Sequence, residues 1–254
     1  MKHLLLTATA CLLLLTGCNT QAEKNKEASK MKESTEESLS NSSREASSVS
    51  SENSQHYESG ALLSAVSENN FTLVESILKD TTYAINEQND QGETPLLIAT
   101  HQNFVPIAKV LIDRGADINL QDHISDSAFL YAGAQGKTEI LQYMLTKGTP
   151  NFTIYNRFGG NALIPAAEKG HLENVILLLE DGRIPVDFQN DFGYTALIEA
   201  VALTDGSEVY QQIIQALLAK GANKHLTDNY GMTAEAYATK LGYTKMSEIL
   251  ATYP

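Results

Sequence analysis

Cysteine is almost absent from this chain of 254 residues, which has two. Both of them, Cys11 and Cys18, lie within or at the end of an apolar run that has the composition of an export leader. The rest of the chain therefore has no thiol for a disulfide, a metal site or a nucleophile. This composition suits a domain that folds outside the cytoplasm without an oxidising partner.

Catalytic sequence motifs are missing as well. The chain contains no G-x-S-x-G, H-E-x-x-H or C-x-x-C pattern and no phosphate-binding G-x-x-x-x-G-K loop. The six histidines are dispersed along the sequence, and His171, which follows Gly170 in a turn, is expected to be structural. These absences predict a protein that is not an enzyme and that has no cofactor and no metal.

Basic charge is scarce. Lys and Arg total 18 against 31 Asp and Glu, and positions 59–254 alone have a net charge of −11. Because no basic stripe is present to bind phosphates, nucleic acid and bare anionic lipid are disfavoured as partners. Solubility alone would explain the negative charge, which is also compatible with a cationic partner.

The start of the chain resembles the signal peptide of bacterial lipoproteins. An apolar run from Leu4 to Leu15 follows Lys2 and is too short to span a bilayer, which needs about 20 apolar residues. The tetrad Leu15-Thr16-Gly17-Cys18 matches the lipobox of that class. The resemblance implies cleavage after residue 17, fatty acylation of Cys18, for instance with palmitate, and a membrane-anchored protein exposed outside the cytoplasm. An ordinary signal peptide with an incidental cysteine is the alternative.

Residues 18–58 form a compositional break between this leader and the remainder. They are rich in Ser and Glu and have almost no large apolar side chains, so they cannot bury enough surface to offset the entropy of the chain. We predict a disordered tether that starts at the lipidated Cys18 and spans on the order of 35 Å. A weakly helical spacer over residues 23–39 is the alternative.

From residue 59 onward the sequence repeats itself. A Ser, Thr or Asn that can cap a helix N-terminus recurs at spacings of 33, 34, 34 and 38 residues. These caps are Thr94, Ser127, Asn161, Thr195 and Thr233. Glycines that can end a longer helix in the left-handed conformation recur in step with them, at Gly115, Gly148, Gly182 and Gly221.

One of these units, residues 89–121, resembles an ankyrin repeat. Of the family pattern D-x-x-G-x-T-P-L-x-x-A, the part G-x-T-P-L-x-x-A is met from Gly92 to Ala99, with Asp90 two positions before the glycine, and the ending L-L-x-x-G-A-D-x-N is met from Leu111 to Asn119 with Ile112 as the second apolar residue. The resemblance implies an all-α repeat solenoid with short hairpin arms, whose helix pairs share one continuous apolar core. We number its six repeats one to six, at about 59–88, 89–121, 122–154, 155–189, 190–226 and 227–254.

Four repeats depart from the pattern. Repeat one lacks the opening turn and begins at a predicted helix over 61–68, and repeat six has Glu235 where other repeats are apolar, as expected of terminal units. Repeat three lacks the T-P-L signature, so we predict an irregular arm and Tyr131 in the concave face. Repeat five has extra residues at 203–208 between its helices. Such insertions are often functional, although a tolerated surface insertion is commoner.

The residue at the tip of each arm is apolar or aromatic in four repeats of five. The tips are Gln91, Ile124, Phe158, Phe192 and Tyr230. Since successive ankyrin arms line up, these side chains should form a row typical of protein interfaces, or else pack on the neighbouring arms. The candidate partner-binding residues are Gln91, Glu93, Ile124, Tyr131, Arg157, Phe158, Asp191, Phe192, Tyr194 and Tyr230.

The sequence as a whole predicts a monomeric, membrane-anchored module that binds a protein in the cell envelope, as a scaffold or as an inhibitor or immunity protein. The alternative is a ligand-binding or enzymatic envelope lipoprotein with a pocket that no motif reveals. A stack of repeats is quasi-one-dimensional and is not expected to enclose a cavity.

Overall fold

The computed structural model of the chain describes residues 56–253, which contain twelve α-helices in six consecutive pairs. The predictions of a signal peptide, of lipidation at Cys18 and of a tether up to residue 55 lie outside the described residues. The helices are α1 (Ala61–Ser67), α2 (Phe71–Ile77), α3 (Pro95–His101), α4 (Val105–Asp113), α5 (Ala128–Ala134), α6 (Thr138–Lys147), α7 (Leu163–Glu168), α8 (Leu172–Asp181), α9 (Ala196–Ala202), α10 (Glu208–Ala219), α11 (Ala234–Leu241) and α12 (Thr244–Thr252). None of them is long and apolar enough to cross a membrane.

The predicted polar caps are confirmed. In four repeats the cap hydroxyl accepts a hydrogen bond from the backbone N–H three residues later, as from Leu97 to Thr94. In repeat four, Asn161 Oδ1 accepts from the N–H groups of Leu163 and Ile164, at 3.1 and 3.3 Å. Each cap satisfies an amide that the helix itself leaves free.

The glycine ladder is confirmed at three positions and wrong at one. Gly115, Gly182 and Gly221 have φ between 74° and 86°, the left-handed conformation that glycine adopts most readily. Gly148 instead has φ −85° and an extended backbone. A Cβ at this position would lie 2.8 Å from the carbonyl oxygen of Met144, so glycine is needed there for a close approach.

The apolar core is continuous from Leu62 in repeat one to Leu250 in repeat six. Two residues after each cap, the buried Leu96, Phe129, Leu163 and Leu197 contact it, whereas Glu235 at the same position in repeat six is exposed. The predicted terminal character of repeat six is therefore confirmed. Each inner helix pair buries its apolar faces against both neighbours, and so its stability depends on them.

The arms are turns closed by side chains, and the described residues contain no ladder strand beyond an isolated bridge between Gln121 and Ser127. An Asn or Asp starts each arm, and its Oδ1 accepts from the N–H groups two and four residues later. These residues are Asn89, Asp122, Asn156, Asn190 and Asp228. The prediction of an irregular third arm is wrong, because Ser125, at φ 64°, adopts the conformation of the glycine that it replaces.

Backbone hydrogen bonds join neighbouring arms and place the tips in line. The N–H of His123 donates to the carbonyl of Gln91 at 3.0 Å, that of Asp191 to Phe158 at 3.0 Å, and that of Asn229 to Phe192 at 3.1 Å. These bonds join three of the four pairs of neighbouring arms, and the side-by-side arrangement of the tips that the sequence predicted is present there.

Substituting Leu178 by Asp should unfold the central repeats. Leu178 is fully buried in α8, and a buried, unpaired carboxylate costs several kcal/mol in addition to the lost apolar contacts. We expect a loss of helical signal or a fall in melting temperature on the order of 10 °C or more, measured by circular dichroism. The control is Ile176→Asp on the same helix, which is 37% exposed and should change the melting temperature little. Equal melting temperatures for the two variants would contradict the packing described above.

Candidate functional site

The arms and the first helices of the repeats line a groove, and the tips form a row of exposed side chains along one edge of it. We call Gln91, Ile124, Phe158, Phe192 and Tyr230 the tip row. Ile124 is 53% exposed, Phe158 and Phe192 are each 48% exposed, and Tyr230 is 80% exposed. The rings of Phe158 and Phe192 are also in contact, with centroids 6.3 Å apart. The two phenylalanines therefore pack on one another and still present about half of their surface to solvent.

Two further aromatic side chains lie behind the C-terminal half of the tip row. The ring of Tyr194 is 6.3 Å from Phe192 and 6.3 Å from Tyr237, and the tyrosine hydroxyls are 3.4 Å apart. The hydroxyl of Tyr237 donates to Asp228 Oδ2 at 2.5 Å. Burial, reinforced by this bond, raises the pKa of Tyr237 well above its usual range. The hydroxyl therefore stays protonated and holds the ring in one position.

The N-terminal half of the groove is polar. Tyr131 lines it, as predicted, with its ring 4.1 Å from that of His101. His101 Nδ1 lies 3.1 Å from Glu93 Oε1. Arg157 lies 3.9 Å from Asp126 and stacks over the ring of Phe158 at 5.1 Å. Burial raises the pKa of Asp126.

The two other candidate residues of the arms lie outside this network. Gln91 and Asp191 are exposed, and both take part in the bonds between arms through their backbone. The carbonyl of Asp191 also accepts from Asn229 Nδ2 at 2.9 Å. The structure thus brings Phe158, Phe192, Tyr194 and Tyr230 together, whereas Gln91 and Glu93 lie at the other end of the row.

An open cavity of about 360 Å³ lies in the groove between repeats four and five. Because it is open to solvent, it does not contradict the expectation that a repeat stack encloses no cavity. Its walls include Phe158, Phe192 and Tyr230 of the tip row, and Leu203 from the insertion of repeat five. A second cavity of about 260 Å³, lined by Tyr131 and Arg157, shares the wall of Phe158. The volume of the first cavity is in the range of small-molecule sites, which begins at about 300 Å³, and that of the second is slightly below it.

Glycine at position 160 accounts for the open space. The other arms have Glu93, Asp126, Tyr194 and Met232 at this position, immediately before the cap. Gly160 does not have a positive φ, and an added Cβ would approach nothing closer than Asn156 at 3.4 Å. The backbone therefore does not require glycine there, and the effect of Gly160 is to leave the cavity unfilled.

Glu199, which sequence reasoning missed, lies in the wall of this cavity on α9. It is 6% exposed, and the hydrogen bond that the structure gives it is from Asn190 Nδ2 to Oε1, at 2.9 Å. Burial and, to a smaller extent, the charge of Glu168 on α7 raise the pKa of Glu199 to about 8. A carboxyl group that is largely protonated at neutral pH thus lies among aromatic walls.

The sequence did contain a signal for Glu199. Four residues after the cap, the other repeats have Ile98, Tyr131, Pro165 and Tyr237. A single carboxylate in an otherwise apolar or aromatic position of aligned repeats is unusual, and it could have been noticed by comparing the repeats position by position. Glu168, which also lines the cavity, gives no comparable signal.

Comparison with known proteins identifies the family. The family model for ankyrin repeats matches residues 32–122 and 129–228. The chain belongs to the ankyrin-repeat family. Ankyrin repeats are scaffolds for protein–protein interaction, and the groove described above is the surface that such a scaffold presents.

Several relatives have similar sequences or structures. The chain is 60% identical to EF0377, an ankyrin repeat protein of known structure, with a TM-score of 0.78 over 78% of this chain and all of that one. It is 39% identical to an ankyrin repeat domain from Acinetobacter baumannii AYE, with a TM-score of 0.73 over 77% of this chain and 98% of the domain. It is 44% identical to the ankyrin repeat protein YahD of Escherichia coli (strain K12) over 101 residues, 40% of this chain and 50% of YahD. The chain thus spans about half the length of that curated relative.

Replacing Glu199 by Gln should stabilise the protein at alkaline pH. The pKa of Glu199 rises from 4.5 to about 8 on folding, so between these values the folded state retains a proton that the unfolded state releases. The free energy of unfolding therefore falls as pH rises through this window and levels off above about pH 8. Since one pKa unit corresponds to about 1.4 kcal/mol, we expect a loss of a few kcal/mol in the wild type and a flatter profile in Glu199→Gln. Urea denaturation across this pH range measures it.

The matched control for this prediction is Glu235→Gln. Glu235 is exposed on α11, so its replacement should leave the pH profile of the wild type unchanged. If Glu199→Gln has the same profile as the wild type, the burial of Glu199 has no effect on its ionisation.

Proposed function

We propose that this protein is a membrane-anchored lipoprotein whose ankyrin repeats bind a protein partner in the cell envelope. The observation that carries the binding role is the tip row, in which two phenylalanines and a tyrosine stay about half exposed or more beside an open cavity. Exposed aromatic side chains around a pocket are the usual anchors of a protein interface. The net charge of −11 on positions 59–254 favours a partner with a basic surface.

Binding would occur by presentation of a rigid surface. The Asn or Asp at the base of each arm, together with the backbone bonds between arms, fixes the tip row before any partner arrives. A preorganised surface loses little conformational entropy on association, so more of the contact energy appears as affinity. The partner would supply any enzymatic activity.

The lipobox supports the location. Leu15-Thr16-Gly17-Cys18 follows a single Lys and an apolar run of the length of a leader. A tether over 18–58 would hold the repeats away from the membrane. Within this location the protein acts either as a scaffold for envelope proteins or as an inhibitor or immunity protein, and the activity of a captured enzyme, retained or lost in the complex, separates these roles.

Substituting Cys18 by Ser should release the protein from the membrane. The thiol of Cys18 is the proposed site of lipid attachment, and serine has no thiol to carry the lipid. We expect labelled fatty acid to be incorporated into the wild type and not into the variant, and the variant to move from the membrane fraction to the soluble fraction. The control Cys11→Ser alters the other cysteine and should remain labelled and membrane-bound. Labelling of Cys18→Ser would exclude the proposed anchor.

Substituting both Phe158 and Phe192 by Ser should abolish partner capture from envelope extract. Each ring is about half exposed, so a modest fall in melting temperature is expected, while the affinity for the captured protein should fall at least about tenfold, or 1.4 kcal/mol. The affinity is measured with the purified partner by calorimetry, beside the melting temperature of the variant.

The control for the tip row is Phe71→Ser. Phe71 is 39% exposed at the start of α2. Its substitution removes a similar ring outside the tip row and should leave capture of the partner intact. If the double variant loses stability and binds the partner with unchanged affinity once folded, the tip row is packing between arms and the proposed interface is wrong.

A further inference from the structure

The cavity beside Glu199 has a chemistry that the general role of the tip row does not explain. Aromatic and aliphatic side chains form its walls, whereas its carboxyl groups come from Glu199 on α9 and Glu168 on α7. The lining contains no Lys or Arg. Hydrophobic walls around two acidic groups are suited to a ligand that combines a flat apolar surface with a positive charge.

We propose that this cavity is a guanidinium pocket that takes one arginine side chain of the partner protein. The proposal rests on the proposed binding function and deepens it. Phe158, Phe192 and Tyr230 provide faces on which the planar group stacks, and Glu199 provides the carboxylate that accepts its N–H bonds.

Two of the aromatic walls are partly exposed rings. Phe158 and Phe192 are tilted by 42° with centroids 6.3 Å apart, and both line the cavity with about half of their surface exposed. Rings attract cations through their faces within about 6 Å. The protein's own Arg157 stacks over Phe158 with its guanidinium carbon 5.1 Å from the ring centroid, which shows that this ring accommodates a guanidinium group.

Glu199 has acceptor capacity that the protein does not use. Its Oε1 accepts from Asn190, and among the described residues no donor reaches Oε2. Oε2 is not among the fully buried atoms without a partner, so it is open to the cavity. An entering guanidinium would donate to Oε2, and Glu199 would release its proton to solvent as the ion pair forms.

Arginine fits this pocket better than lysine does. A guanidinium group is planar, donates through a fork of N–H groups and is more weakly hydrated than an ammonium group, so it both stacks on rings and pairs with a carboxylate. An apolar side chain would leave the second acceptor of Glu199 without a donor, and a neutral amide or urea could donate to it but would not neutralise the carboxylate.

The groups that face Glu199 set the pH dependence of the site. From α7, Glu168 raises the pKa of Glu199, while Lys169, at the end of that helix, lowers it. From the arms, Asn190 hydrogen-bonds to the carboxyl group, and Tyr194 and Tyr230 belong to the same lining. The lining contains no residue of α10 or α11. Binding should therefore strengthen as pH rises towards about 8.

The first test titrates the purified full-length protein with acetylated alanine pentapeptides that have arginine, citrulline or lysine at the centre. Nuclear magnetic resonance follows the ring protons of Phe158, Phe192 and Tyr230. We expect the arginine peptide to bind at least about tenfold more tightly than the citrulline peptide, and its affinity to rise at least about tenfold between roughly pH 6 and pH 9. Equal affinities of the arginine and citrulline peptides, or no binding at ~10 mM, would overturn the proposal.

Two variants locate the binding site. Glu199→Gln keeps the size of the side chain and should abolish both the preference for arginine and the pH dependence. Gly160→Met introduces the residue type found near the cap of repeat six and should block the cavity without straining the backbone, because Gly160 has an ordinary φ. The control Glu235→Gln should bind the arginine peptide like the wild type. Unchanged binding by Gly160→Met would place the peptide elsewhere.

Two further measurements separate this proposal from the proposed function. If free arginine binds as tightly as the peptide, the pocket serves a small molecule, and the assignment to a protein side chain is wrong. If a captured partner depends on Phe158 and Phe192 but binds Glu199→Gln with unchanged affinity, the binding module stands and the guanidinium pocket falls. A tenfold loss of affinity for the partner in Glu199→Gln, at every pH tested, supports the pocket.

Discussion

The double hydrogen bond at the base of each arm is the interaction on which the groove depends. A single side-chain oxygen of Asn or Asp accepts two backbone N–H groups, at 2.9 and 3.0 Å in the case of Asn190. Each such bond contributes on the order of 1 kcal/mol, but its larger effect is geometric, because it fixes the tip residue relative to the helix that follows. A glutamine also links neighbouring repeats, since Gln189 Nε2 donates both to the carbonyl of Gly193 in its own arm and to the carbonyl of Thr227 in the next repeat.

Because the arms are rigid, a local departure from the repeat pattern changes the shape of the groove. In a flexible loop, neighbouring side chains would move into the space that is left because Gly160 has no side chain. Here Asn156 accepts from the N–H of Gly160 itself, at 3.0 Å, and Phe158 and Phe192 are held by equivalent bonds. The space opposite Gly160 therefore persists as a cavity. The insertion of repeat five adds Leu203 to the wall, and Tyr243 braces the inserted segment by donating to the carbonyl of Thr204 at 2.6 Å.

Most of the fold could be predicted because its signals are local. The caps and the apolar face of each helix are read within one repeat, and the repeated pattern gives the stacking. The failures are also instructive. The third arm keeps its turn because Asp122 supplies the same side-chain oxygen as the other arms and Ser125 adopts the conformation of the usual glycine. Position 148 needs glycine because a Cβ there would meet Met144 and, from the preceding repeat, Ile118. The contact with Ile118 joins two repeats and is not visible in one repeat alone.

The candidate site was predicted only in part, for the same reason. The tip row follows from one ladder of residues, and its aromatic members lie together as that ladder indicates. The cavity requires a small residue in one repeat, a carboxylate in the next and an insertion after it to meet at one place. Within the sequence, Gly160 lies in a separate segment from Glu199 and Leu203, and nothing local relates it to them. Their proximity becomes visible once neighbouring repeats are stacked.

Glu199 is the departure that is hardest to explain by stability. A carboxyl group that is 94% buried, with one hydrogen bond and a second acidic group nearby, opposes folding as soon as the pH favours its ionisation. Apolar residues occupy this position in repeats two and four, Ile98 and Pro165, so the repeat does not need an acid there. A residue that lowers stability at physiological pH, lies in an open cavity and faces aromatic walls has the properties of a group kept for binding. If the proposed cation binds, Glu199 would lose the proton that it holds in the free protein and would pair with the cation as a carboxylate.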